Sequence, residues 1–123
     1  MLPSNTDAHH HVGDIRDEID KALNFVKGME LDEFCENNLV VYAVQKAVQN
    51  AIESCIRLED KRKDKHLFTR LCPEFDIEKL RLLANRGRHD YEVFEPGLLW
   101  DDLHGTLTDL RNAAEALLAK KRH

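Results

Sequence analysis

The sequence is poor in residues that break helices and in those that build covalent or metal frameworks. Five glycines and three prolines in 123 residues leave few interruptions, which favours long helices over many short strands. The three cysteines, Cys35, Cys55 and Cys72, are odd in number, far apart and without CxxC spacing. That excludes a disulfide framework and a zinc-finger pattern, and it fits reduced thiols in a cytosolic protein. No apolar run approaches the roughly eighteen residues needed to cross a bilayer, and the N-terminus has no signal-peptide pattern. P-loop, GxGxxG, GxSxG and HExxH motifs are all missing, and no carboxylate cluster has metal-site spacing. A general basic excess is missing too. The formal net charge of -5 argues against a nucleic-acid coat protein, though not against a local site.

What is present is helical periodicity. With 42% hydrophobic and 33% charged residues, the chain reads as one cytoplasmic, all-α domain over 1–123, with residues 1–6 as a tail. Ile15, Ile19, Ala22, Leu23, Val26 and Met29 form one stripe, and Gly28 is placed to close that helix. His9-His10-His11 reads as a tag-like or solvent-exposed segment, because three adjacent histidines cannot all face one ion on a helix. Asp32 is the expected N-cap of a short helical turn around Phe34. From about Asn38 to Lys61 the apolar stripe is too wide for a surface helix, so partners on two sides are expected. Small residues at 43, 47 and 51 permit close approach there. The mixed-sign run from Glu59 to His66 reads as a solvated helix end. Asp76 then caps a further helix, and Pro96 suits the first position of the last one. The sum is an antiparallel four-helix-type bundle with an additional short helix.

One stretch concentrates chemistry. On a helix turning about 100° per residue, Ile77, Leu80, Ala84 and Tyr91 fall on one apolar stripe. Arg81, Asn85, Arg88 and His89 occupy the adjacent arc. Residues 77–91 carry four cations (Lys79, Arg81, Arg86, Arg88) against two anions (Glu78, Asp90), a local surplus of two. Guanidiniums fork onto phosphate oxygens, and imidazole moves protons near neutral pH, so these groups suit a phosphodiester. A solvated helix end accounts for the same residues, since cations near a C-terminus complement the macrodipole. RNA suits metal-free cleavage because its 2′-hydroxyl is an internal nucleophile. One histidine is thin for two proton transfers, and a symmetric dimer would supply a second.

The residues resemble the HEPN superfamily, specifically its HepT-like ribonucleases, over about residues 13–118. The segment Ile15 to Leu58 is similar to the family's first two helices. His89-Asp90-Tyr91 matches its His-x-Tyr signature, and Leu99-Trp100 its aliphatic-Trp pair. The resemblance implies a dimeric helical bundle whose signature residues line a shared cleft that cleaves RNA without metal or cofactor. It implies His89 as acid/base, Arg88 and Arg81 as phosphate binders, Asn85 as a positioning donor and Glu53 as an assisting polar residue. The implied partner is a nucleotidyltransferase antitoxin that transfers AMP onto Tyr91. Two departures stand out. The arginine usually found five residues before the histidine is Ala84 here, with Arg81 one turn before it and Arg88 one turn after. The family's Asp-Leu-Pro is Thr106-Leu107-Thr108. The rival reading is a non-catalytic binding module that keeps the nucleotidyltransferase partner, and a third is a purely structural dimer.

Overall fold

A computed structural model describes residues 7–60, 66–89 and 95–119, with Asp7 and residues 87–89 described by backbone alone. The elements in order are α1 (Asp7–Phe25), α2 (Leu31–Glu36), α3 (Asn38–Asp60), α4 (Leu67–Leu71), α5 (Ile77–His89), α6 (Pro96–Asp102), a π-helical turn (Leu103–Leu107) and α7 (Thr108–Ala119). No strand occurs among these residues, and none of these helices is long and apolar enough to cross a membrane.

The bundle is built around α1, which packs on α3 and α7. Its period-3.6 stripe of Val12, Ile15, Ile19 and Ala22 is completely removed from solvent. Burial of each of the three larger side chains contributes roughly 1.5–3 kcal/mol. Ala47 and Ala51 on α3 are buried as well, which lets the two helices approach closely. Two ion pairs set direction against α7. Arg16 reaches Glu115 at 3.2 Å, while Arg111 reaches Asp20 at 2.8 and 3.4 Å. Moving up α1 therefore means moving down α7, the antiparallel arrangement expected. The wide stripe of α3 is explained by its contacts with α1, α2, α4 and α5.

Gly28 closes the turn after α1 with φ +81, a conformation that favours glycine. Asn37 accepts the Val40 amide at 3.1 Å ahead of α3, and Asp76 accepts the Lys79 amide at 3.1 Å ahead of α5. Pro96 occupies the first turn of α6.

Several expectations fail. Asp32 lies inside the first turn of α2; the cap is Glu30, whose amide donates to the Glu33 carboxylate at 2.8 Å. His9-His10-His11, expected to be solvent-exposed, lies in the first turns of α1 with only His10 exposed and its two neighbours half-buried. Glu59, placed on a solvated helix end, is 1% exposed. Leu67–Leu71 forms a short helix of its own, additional to those expected. The last helix is interrupted by the π turn. There the Thr108 hydroxyl donates to the Leu103 carbonyl at 2.8 Å, an acceptor that the widened turn displaces from ordinary helical partners.

Candidate active site on the fifth helix

Helix α5 packs through a narrow face. Leu80 is fully buried, and Ile77, Leu83 and Ala84 lie partly buried against the core. Leu82 is 67% exposed, and Asn85 is also exposed. A helix with so little buried surface needs other restraints, and two arginines provide them.

Near its start, Arg81 forks onto Asp60 at the end of α3, with both nitrogen–oxygen distances 2.7 Å. Its Nε also donates to Glu78 at 3.3 Å. The Asp60 bonds, aided by the Glu78 charge, raise the guanidinium pKa further above its ordinary value, so Arg81 is a permanent cation. Near the other end, Arg86 donates to Asp102 on α6. Burial pushes the Asp102 carboxyl up, and Asp101 adds to the rise, while Arg86 and Lys79 pull it down. A raised carboxyl favours the fold below its unfolded-state pKa, and that contribution is lost as pH rises through the folded value. The Arg86–Asp102 pair therefore fixes orientation without adding net stability near neutral pH.

Beyond the second clamp the backbone stays helical through Gly87 as far as His89. Gly87 does not end the helix. Arg88 and His89 thus follow Arg81 and Asn85 on one continuous helix, although their side chains, like the whole of Tyr91, lie outside the described residues. Glu53 on α3 is exposed and lines an open recess with Asp14, Asp17, Glu18, Asn50 and Arg57. The structure therefore sets Glu53 among carboxylates of α1. Among the described residues no group of three or more His, Cys, Asp or Glu is placed to hold a metal ion. All three thiols are free, and burial pushes Cys55 well up, so it stays a neutral thiol.

Asp60 and Asp102 were missed by sequence reasoning. They stand 21 and 16 residues from their arginines, and no local spacing signals either pair. Arg81 and Asp60 are about one-third exposed, which limits what the fork adds to stability. Arg81→Gln is expected to lower unfolding stability by about 1 kcal/mol. Arg81→Lys should recover less than half, because an ammonium cannot make the planar two-point contact. Denaturant midpoints measure both.

The class defined here is an all-α bundle with a basic helix, held by two arginine clamps, whose last residue is a histidine. A family model described as ribonuclease HepT-like matches residues 15–117, and the chain belongs to that family. Membership supports a ribonuclease-type activity, with RNA as the molecule handled. No curated protein and no solved structure matches the chain.

Proposed function

We propose that the chain is a metal-independent endoribonuclease, the toxin of a toxin–antitoxin pair held silent by a nucleotidyltransferase antitoxin. The observation that carries this reading is the unbroken course of α5 through Gly87 to His89. It supports Arg88 and His89 acting beside Asn85 on one helical surface. In this reading the 2′-oxygen attacks phosphorus, the bond to the 5′-oxygen breaks, and a 2′,3′-cyclic phosphate forms. His89 takes the 2′-hydroxyl proton, and its counterpart in a second copy delivers one to the leaving 5′-oxygen. Arg88 meets the charge that grows on the phosphate oxygens, and Asn85 positions them. Arg81, already committed to Asp60, holds the helix; Glu53 supplies an assisting carboxylate. A nucleotidyl group on Tyr91 would add bulk and negative charge beside the site and repel RNA.

The test is incubation of the purified protein with single-stranded RNA in excess EDTA. Cleavage leaving cyclic phosphate ends, and resistance of 2′-O-methyl RNA, is expected. Intact RNA, or cleavage that EDTA stops, rejects the reading.

The commitment of Arg81 to Asp60, together with Ala84 at the usual arginine position, favours a second reading. In it, the protein is a non-catalytic module that binds a nucleotidyltransferase. Tight binding of such a partner without RNA cleavage would select it.

A further inference from the structure

A second recess lies where the end of α1 meets the π-helical turn, on the far side of α6 from the clamp on α5. Its volume is about 530 Å³, within the range of small-ligand sites. Trp100 and His104 form one wall. Their ring centroids are 4.4 Å apart at 42°, and the buried Phe34 ring packs on the indole at 5.2 Å. His104 is exposed, and its Nδ1 lies 2.8 Å from the Trp100 carbonyl. A carbonyl only accepts, so Nδ1 carries the hydrogen and Nε2 is left as an acceptor on the neutral ring. The opposite wall includes Asn24, Asp20 and Lys27. Asp20 is neutralised by Arg111, whereas Lys27 is exposed and has no carboxylate partner among the described residues.

We propose that this recess is a base-stacking subsite for single-stranded RNA, separate from the cleavage site and serving it. It rests on the ribonuclease reading for the identity of its ligand. A nucleobase lies on the Trp100–His104 surface, its edge meets Asn24 and the His104 Nε2, and the adjoining phosphate meets Lys27. Trp100 and His104 stand four residues apart, the spacing that stacks side chains on one helix face, and that pairing is what makes the wall. The π turn follows α6 directly and contains His104, and such turns recur at functional positions. Location supports the assignment as well. Asp102, the partner of Arg86, lies about 200° around the helix from Trp100. A single strand leaving the end of α5 therefore needs to pass only one helix, about 10–12 Å across, to reach the recess.

Trp100 is the one tryptophan of the sequence, so its emission reads the site directly. The probe is a 2′-O-methyl hexaribonucleotide, which the proposed chemistry cannot cleave, titrated against the intact protein. An abasic hexamer with the same backbone runs beside it, and fluorescence anisotropy reports binding of each. Saturable quenching by the base-bearing strand, and none by the abasic one, is expected. His104→Ala and Lys27→Glu should each weaken the quenching-linked Kd about tenfold. Circular dichroism establishes that both variants are folded. Binding by anisotropy with unchanged Trp100 emission, or no binding at all, overturns the subsite. Quenching that both variants retain at full affinity does so equally. Cleavage of unmodified RNA is scored separately, so a stacking site without cleavage is distinguishable from cleavage without a stacking site.

Discussion

Glu59→Ala is expected to destabilise the protein by about 3 kcal/mol, lowering the melting temperature by about 10 °C. The Glu59 carboxylate sits at the start of α4, where helical amides have no partners of their own. One oxygen accepts the Phe68 amide at 2.9 Å, and the other accepts the Thr69 hydroxyl. The Glu59 carbonyl also accepts the His66 amide at 2.7 Å, and His66 itself is held at φ +64. A residue of α3 thus caps α4. Alanine would leave the Phe68 amide without its acceptor beneath a side chain that is fully buried. An unmet buried donor costs about 1–3 kcal/mol, and the lost charge-assisted bonds add to that. Glu59→Gln keeps an acceptor for Phe68 and should cost only about 1 kcal/mol. Calorimetric or denaturant unfolding of the two variants measures the difference. An alanine variant within roughly 0.5 kcal/mol of wild type would show that water replaces the carboxylate, contrary to its depth.

The same residue shows where the amino-acid sequence stops being informative. Local rules worked where the partner was near in the chain. Asp76 three residues before Lys79, Gly28 after the last turn of α1 and Pro96 at the start of α6 were all legible. Periodicity placed Ile15, Ile19 and Leu80 in the core and foretold that α3 would have neighbours on several sides. Glu59 was misread because its neighbours in sequence are charged, while its partners in space arrive from the next helix. Arg81 looked like a free phosphate ligand for the same reason, since Asp60 comes beside it only when α3 and α5 pack. The π turn has no apolar period of its own to reveal it. Glu30 took the capping role from Asp32 because Glu33, three residues on, could return the bond. In α5, the backbone course was legible, including the side that would pack. Its restraints at both ends were not.

His89→Ala is expected to lower the rate of RNA cleavage by 10²–10⁴-fold, the usual worth of a positioned proton-transfer group. His89 is the last residue of α5, so its removal should leave thermal unfolding nearly unchanged. That separation matters: a loss of activity with unaltered stability assigns the effect to chemistry. The fall should appear in the single-turnover rate, with RNA affinity held within a few-fold, because the imidazole acts on protons that move only in the transition state. Arg88→Ala should divide its effect differently, since a guanidinium on phosphate helps bind the ground state as well. If two copies share one cleft and each supplies an imidazole, unfolding and refolding wild type with an equal amount of His89→Ala has a distinct outcome. Random pairing leaves one dimer in four with both histidines, so at equal total protein activity should fall to roughly a quarter of the unmixed wild type. Sites complete within one chain would leave roughly half. Equal cleavage by His89→Ala and wild type would remove His89 from the mechanism altogether, and the catalytic proton carrier would have to be sought elsewhere in the bundle.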